Sequence, residues 1–136
     1  MAETTAFELV TPDALWFSDD VKMVVIPGAE GDFGVMAKHS PMVSTVRPGV
    51  IKVYKEGLAS GVTEQLFVAG GFAEVTPERT TVLAEEAVKV AELDASTVQE
   101  RQSSAQKALD SASSDGERNA AQRELSIADA LQKALN

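Results

Sequence analysis

Cysteine is absent from this sequence of 136 residues, and histidine occurs once, as His39. Without cysteine the chain can form neither a disulfide framework nor a thiolate metal site, which is consistent with a reducing compartment. A single histidine cannot build a metal centre, and the sequence shows no catalytic Ser-His-Asp or Cys-His pattern, no paired-carboxylate pattern and no Gly-rich phosphate loop. We therefore expect no metal, no catalytic residue and no enzyme activity of the chain by itself.

Long apolar runs and basic clusters are also missing. No stretch approaches the roughly 18 apolar residues that a membrane-spanning helix needs, so we expect a soluble chain without direct membrane insertion. Residues 1–7 carry acids and no arginine, so we expect neither a transit peptide nor a secretory signal, and hence a cytoplasmic protein. The formal charge of −9 and the scattered distribution of the 12 Lys and Arg residues disfavour nucleic acid and anionic lipid as partners.

The first part of the chain, to about residue 84, consists of short β-rich runs separated by glycine and proline. This punctuation is typical of short strands with tight turns, and it predicts an all-β sandwich or barrel. A length of 136 residues allows one such domain with an appendage. The predicted strand runs are residues 7–11, 14–17, 21–26, 33–36, 42–46, 50–54, 66–69, 72–75 and 80–83.

The second part of the chain is rich in Ala, Gln, Glu, Ser and Lys, which favour helix over strand. Ser114 and Glu117 match the capping-box pattern for a helix start, so we place the second helix from about Asp115 to Leu135. Two narrow stripes of mostly small side chains predict a close antiparallel hairpin, which buries little apolar area and is therefore expected to be mobile. The stripes are Val98, Gln102, Ala105, Leu109 and Ala112, and Ala121, Leu125, Ala128 and Leu131.

Two blocks of this sequence resemble the epsilon family of F-type ATP synthases, which is homologous to the mitochondrial delta subunit. The first block covers residues 27–41, from Pro-Gly-Ala-Glu-Gly-Asp-Phe-Gly to His-Ser-Pro, and continues with Arg-Pro-Gly-Val-Ile at 47–51. The second covers residues 68–76 and continues at 81–87. Both blocks have the order and separation of the family, and with the helical tail the resemblance covers nearly the whole chain.

The resemblance implies a β-sandwich of about ten strands over residues 1–90 and a regulatory α-helical hairpin over 91–136. It implies a non-catalytic central-stalk subunit that couples proton-driven rotation of the membrane ring to ATP synthesis in the catalytic head. The implied partners are the gamma subunit and the rotor ring of c subunits, with alpha and beta subunits within reach of the helical tail. The implied location is peripheral, on the cytoplasmic face of the bacterial inner membrane.

The family loop at residues 27–34 would face the rotor ring. Glu30 and Asp32 would offer carboxylates to basic or amide groups there, and Asp32 is expected to make the closer contact. Without the resemblance, the same glycine-rich segment could equally be an ordinary hairpin turn.

The residues predicted to face gamma are His39, Met42, Val43, Val46 and Gly49. His39 is expected to fix a corner of the sandwich by hydrogen bonding, and Gly49 to permit a positive φ or a close approach of another chain. The three apolar residues are candidates for an exposed patch together with the strand at 66–72, although the sequence alone favours a core position for each of them taken singly.

Asp94 precedes the first helix, and we interpret it chiefly as an N-cap. Some bacterial members of the family carry Leu/Ile-Asp-x-x-Arg-Ala here, associated with ATP binding. This chain has Thr97 in place of the arginine and Val98 in place of the alanine, so Asp94 is only a weak nucleotide-binding candidate, and we expect no ATP cofactor.

In some family members the helical tail blocks ATP hydrolysis by meeting an acidic surface. Here the segment from Asp94 onward has five basic and seven acidic residues, a net charge of −2, which predicts weak inhibition at most. The alternative to the family assignment is a free-standing β-sandwich ligand-binding module with a helical oligomerisation tail. The sequence leaves open whether the hairpin is folded down or extended, and which ion drives the ring.

Overall fold

The glycine- and proline-punctuated half of the chain folds into ten short strands. The computed structural model describes residues 3–135, and the chain divides between Lys89 and Val90 into two units. Single 3-10 turns lie at Leu58–Ser60 and Val90–Glu92. The strands are β1 (Thr5–Val10), β2 (Leu15–Val21), β3 (Met23–Gly28), β4 (Gly31–Val35), β5 (Met42–Val46), β6 (Gly49–Tyr54), β7 (Glu64–Val68), β8 (Gly71–Val75), β9 (Arg79–Ala84) and β10 (Ala87–Lys89).

The ten strands form one hydrogen-bonded sheet that folds over on itself as a sandwich. Its order is β10-β7-β6-β3-β5-β8-β9-β1-β2, with β4 paired to β3. β3 pairs with β6 through Met23 to Val25 and with β5 at Gly28, so β3 joins the two parts of the sheet. β1 and β9 run parallel, whereas the other pairs in the described chain are antiparallel.

The core of the sandwich comes from alternate side chains of the strands. In β1, for example, Phe7 and Leu9 are fully buried while the residues between and beside them reach the surface, as a period of two requires. Burial of each such large apolar side chain stabilises the fold by about 1.5–3 kcal/mol. Thr5 and Thr80 are buried polar residues in this unit, and their hydroxyls satisfy each other at 3.2 Å.

The second unit is a pair of helices, α1 (Ala95–Asp110) and α2 (Asp115–Ala134), which pack on each other as a hairpin. The carboxylate of Asp94 accepts the Ser96 amide at 3.0 Å, and the Ser114 hydroxyl accepts the Glu117 amide at 3.1 Å. Both caps satisfy amides that a helix start leaves without partners. The N-cap interpretation of Asp94 and the predicted start of α2 are confirmed.

The fold class predicted from the sequence, a sandwich of about ten strands followed by a helical hairpin, is confirmed. Individual elements differ from the prediction. β2 continues to Val21 through Ser18, Asp19 and Asp20, where the sequence indicated a gap, and the short β10 was not predicted. The predicted stripes are buried at Val98 and Ala105 in α1 and at Ala121, Ala128 and Leu131 in α2, and Ile127 is buried in addition.

Candidate interaction surfaces

The β3–β4 hairpin ends in a tight tip, residues 28–32, that presents two carboxylates. Gly28 and Gly31 form the last register pair, and Ala29 and Glu30 make the turn between them. A Cβ at Gly28 would lie 2.8 Å from the Gly31 carbonyl oxygen and 2.9 Å from the Phe33 ring, so the turn requires glycine there. The Ala29 amide donates to the Thr45 carbonyl at 2.9 Å, which ties the tip to β5.

Glu30 and Asp32 are both exposed at this tip, but their surroundings differ. Asp32 accepts a hydrogen bond from Nη2 of Arg47 at 2.5 Å, and Nη1 of the same guanidinium donates to the Gly28 carbonyl at 2.5 Å. Arg47 therefore spans both strands of the hairpin. The sequence resemblance included Arg47 in its first block but did not indicate its contacts with the hairpin, because Asp32 and Gly28 lie 15 and 19 positions away in the chain.

An apolar row crosses the outer face of the sheet on four successive strands. Phe72 of β8 pairs with Leu83 of β9, Leu83 with Val10 of β1, and Val10 with Leu15 of β2. Directly paired residues point to the same side of a sheet, so Phe72, Leu83 and Val10 are neighbours on one face. Leu15 lies beside Val10, after a register shift between Leu9 and Val10. Phe72 is 57%, Leu83 56% and Leu15 58% exposed, and Val10 is half-buried. We call these four residues the apolar row.

The apolar row has an acidic border. Glu74 and Glu8 lie two residues along their strands from Phe72 and Val10, and so on the same face. Glu8 pairs with Nη1 of Arg79 at 2.6 Å. Asp19, the register partner of the buried Phe7 and so on the other face of the sheet, pairs with Lys55 at 2.6 Å, and this hydrogen bond lowers the pKa of Asp19 and raises the pKa of Lys55. A partner for this face would need an apolar centre, with charge at its margin that complements Glu74, because Glu8 is already paired within the chain.

The five residues predicted to face gamma do not share one environment. Val43 is 70% exposed and lies on the same face as the apolar row, two residues from Thr45, the register partner of Phe72. Val46 is 2% exposed and Met42 packs against the core, which leaves their side chains little surface for a partner. Gly49 is half-buried, and a Cβ there would lie 3.0 Å from Pro27, so close packing within the chain accounts for it.

His39 lies in the connection between β4 and β5 and is half-buried. Its Nδ1 lies 2.7 Å from the Ser40 carbonyl oxygen. The preceding Lys38 has a positive φ of 65°, its amide donates to the Pro77 carbonyl at 2.9 Å, and its Nζ pairs with Glu3 at 2.9 Å. The corner is thus held by Lys38 as well as by the histidine that the sequence singled out.

In the helical unit, an ion pair joins the two helices. Nε of Arg101 in α1 donates to Glu124 in α2, and Nη2 of Arg101 donates to the second carboxylate oxygen of Glu124 at 3.3 Å. This hydrogen bonding holds the pKa of Glu124 below its ordinary value against a smaller opposing effect of burial. Gln102 donates to Asp129 at 2.7 Å beside it.

A groove of about 440 Å³ runs between α1 and α2, with Ala105, Ala108, Ala120 and Ala121 among its lining residues and the Arg101–Glu124 pair in its wall. Asp94 is not among the groove's lining residues, and its carboxylate is engaged by Ser96 and Thr97. Across residues 3–135, no three His, Cys, Asp or Glu side chains group as a metal site. None of the described helices is long and apolar enough to cross a membrane.

Three residues of the apolar row, Val10, Leu15 and Leu83, were not expected in an exposed patch, because their side-by-side placement depends on strand register. Phe72 fell within the predicted exposed region at 66–72, whereas Leu83 lay in a run treated as an ordinary strand. Apolar residues at the ends of two strands carry no sequence signal that they will meet.

Comparison with known proteins gives a consistent result over the whole chain. Residues 4–90 match the family described as ATP synthase, Delta/Epsilon chain, beta-sandwich domain. The ATP synthase epsilon chain of Paramagnetospirillum magneticum is 52% identical over 135 residues, covering 99% of both chains. The ATP synthase epsilon chain of Rhodospirillum rubrum is 52% identical over 131 residues, covering 96% of both chains.

Solved structures give the same fold. A chain in the Euglena gracilis mitochondrial ATP synthase, solved as OSCP/F1/c-ring in rotational state 1, superposes with a TM-score of 0.83 at 26% identity. The match covers 100% of this chain and 83% of that one. A chain in the central stalk and c-ring of the Tetrahymena thermophila mitochondrial enzyme has a TM-score of 0.73 at 14% identity, over 97% and 96% of the two chains, which indicates a shared fold alone.

Proposed function

The chain belongs to the ATP synthase epsilon chain family, and from this premise we propose that its sandwich links the gamma shaft to the rotor ring while the enzyme makes ATP. Members of the family are non-catalytic subunits of the ATP synthase, and this chain is accordingly a central-stalk subunit without an enzyme activity of its own. The alternative, a free-standing ligand-binding module, is set aside because ATP synthase epsilon chains match this chain over nearly its full length.

The apolar row is the surface that we assign to gamma. Phe72 and Leu83, both more than half exposed and directly paired on neighbouring strands, are the feature that supports this proposal, with Val10 and Leu15 beside them on the next two strands. Contiguous exposed apolar surface of this kind marks interaction sites in soluble proteins. Val43 extends the surface at one end, and Glu74 at its border would favour a partner with a cation opposite it.

The tip of the β3–β4 hairpin is the surface that we assign to the rotor ring. It is a rigid two-residue turn that carries carboxylates at its end, held to β5 by backbone hydrogen bonds. Exposed charges at the edge of an interface contribute about 1 kcal/mol or less each, so the tip would set the register of docking more than its strength.

The proposal is tested by substituting the apolar row in the full chain. We expect Phe72→Ser and Leu83→Ser to weaken binding of purified gamma at least tenfold, since central apolar residues of interfaces commonly cost about 2 kcal/mol when truncated. Leu58→Ser is the matched control, because Leu58 is 62% exposed but lies in the β6–β7 connection. Equal binding of all three variants, with the fold intact by circular dichroism, would contradict the assignment.

The same premise leads us to propose a peripheral location on the cytoplasmic face of the bacterial inner membrane, through the assembled enzyme. Alpha, beta, gamma and ring subunits should then be recovered when a tagged copy of this chain is purified from detergent-solubilised membranes. Recovery of the tagged chain alone would contradict both the location and the assembly.

A further inference from the structure

The side chain of Arg47 hydrogen-bonds to both strands of the β3–β4 hairpin at its tip. One guanidinium nitrogen donates to the Gly28 carbonyl on β3 and another to the Asp32 carboxylate on β4, each at 2.5 Å. The backbone amide of Arg47 donates to the Pro27 carbonyl at 2.8 Å, so the side chain starts from a fixed point. A planar guanidinium that holds two acceptors fixes their relative positions, which a single ammonium contact would not do.

The two carboxylates of the tip are consequently unequal. Asp32 is paired with Arg47, with Oδ1 of its carboxylate 2.5 Å from Nη2 of the arginine. Glu30 lies in the exposed turn between Gly28 and Gly31, and no ion pair or hydrogen bond joins its side chain to any residue in the described part of the chain. Glu30 is therefore the carboxylate of the tip that is available to contact a partner.

We propose that Arg47 is a positioning residue that shapes the hairpin tip through Gly28 and Asp32, so that Glu30 meets a cationic or amide group on the rotor ring. This inference rests on the ring contact proposed above and assigns different roles to Glu30 and Asp32. Asp32, which the sequence favoured for the closer contact, becomes part of the internal clamp.

The experiment uses the assembled enzyme in membrane vesicles and a photoreactive maleimide at Ala29→Cys. The natural chain has no cysteine, so the label is unique within it, and Ala29 is exposed beside Glu30. The cross-link yield to the ring subunit is measured at low and moderate salt. The yield in the parent is compared with the yields of Glu30→Gln, Arg47→Gln, Asp32→Asn and the double variant Arg47→Gln/Asp32→Asn.

In the parent we expect a cross-link whose yield falls as salt rises, because exposed charge pairs are screened. Glu30→Gln should lower the low-salt yield about threefold and remove the salt dependence. Arg47→Gln and Asp32→Asn should each lower the yield about as far, and the double variant should be no worse than either one, because the two residues act as one clamp. Arg118→Gln is the matched control, an exposed arginine paired with Asp115 in α2 and outside both assigned surfaces, and should leave the yield unchanged.

A second measurement follows the tip directly by nuclear magnetic resonance of the isolated full chain. In Arg47→Gln the amides of Glu30 and Gly31 should lose heteronuclear NOE intensity, while those of β8 and β9 keep it. Unchanged tip amides and an unchanged cross-link in Arg47→Gln would overturn the inference. So would a larger loss with Asp32→Asn than with Glu30→Gln. Absence of any cross-link to the ring in the parent would instead overturn the proposed ring contact, and the amide signals would still decide whether Arg47 shapes the tip.

Discussion

At Gly71 a side chain is sterically forbidden. Its φ is +136°, a region that residues with a Cβ rarely adopt, and a Cβ there would collide with the Leu83 carbonyl oxygen and lie 2.9 Å from the Ala84 Cα. Gly71 pairs with both Val46 and Ala84, so the close approach occurs where β8 lies between β5 and β9. Phe72, the first member of the apolar row, follows directly.

We predict that Gly71→Ala destabilises the sandwich by about 3 kcal/mol or more, from an unfavourable φ combined with a backbone clash. Gly61→Ala provides the comparison, because its φ is +82° but nothing lies within 4 Å of the added Cβ. That variant should lose only about 1–2 kcal/mol. Urea unfolding measures the free energy of unfolding of both variants. Equal losses would show that the backbone at the β8–β9 contact shifts to accommodate the added Cβ.

The sequence could not separate core from surface residues in β5. Met42, Val43 and Val46 are all apolar, so alternation by two tells that Val43 faces away from the other two but not which side is the core. The exposed side of Val43 becomes evident only from pairing with β8, where Thr45 meets Phe72. The glycines of the hairpin tip were recognisable in advance because their conformational role depends on local sequence alone.

Among the elements, the helix boundaries were the most predictable. Asp94 and Ser114 are N-caps with local hydrogen bonds, and the sequence carries the whole of that information. β2 was cut short because Ser18, Asp19 and Asp20 interrupt the apolar pattern, although an edge strand can carry polar side chains when its partner β1 supplies the hydrogen bonds. β10 has three residues, too few for a periodic signal, and exists through pairing with β7.

The Arg101–Glu124 pair makes the helical unit sensitive to acid. Because the pKa of Glu124 in the folded chain is lowered from its ordinary 4.5, the pair stabilises the fold above that value and is lost as the pH falls through the lowered pKa. The contribution is at most about 1 kcal/mol, since the Glu124 side chain is 41% exposed.

We therefore predict that Glu124→Gln melts earlier than the parent at neutral pH and that the two converge once the pH falls below the lowered pKa of Glu124. Thermal melting of the full chain, followed by far-ultraviolet circular dichroism, measures the difference. Glu100→Gln, the same substitution at an exposed position of α1, should keep the acid profile of the parent. Parallel profiles for the parent and Glu124→Gln would show that the pair does not stabilise the helices.

The helix pair is where the family motif would bind nucleotide. We predict that ATP binds the isolated full chain weakly or not at all. Asp94 is occupied as the cap of α1, Thr97 replaces the arginine of the family motif, and Arg101 is engaged by Glu124. Isothermal titration tests this, with Thr97→Arg as a variant expected to gain affinity. A micromolar dissociation constant for the parent, about −8 kcal/mol, would contradict the prediction.

For the whole molecule, the division at Lys89 predicts separable functions. The core cluster of the sandwich is drawn entirely from Phe7 to Ala87, and the apolar row and hairpin tip lie in the same unit. A chain that ends after Leu93 should remain a folded β protein and bind gamma like the full chain. Loss of gamma binding with the β spectrum intact would place part of the interface in the helices.

Inhibition of ATP hydrolysis, which the family resemblance associates with the helical unit, is predicted to be weak here because the net charge from Asp94 onward is −2. An acidic arm gains little electrostatic steering toward an acidic catalytic surface, and Arg101, its first basic residue, is already held by Glu124. We predict that the catalytic head with gamma hydrolyses ATP at most about fivefold faster with the chain that ends after Leu93 than with the full chain, the effect of about 1 kcal/mol. Repeating the assay at moderate salt should change this ratio little, because few attractive charges are available to be screened. A much larger rise on removing the helices, with gamma binding unchanged, would show that contacts other than net charge drive the helical unit into the head.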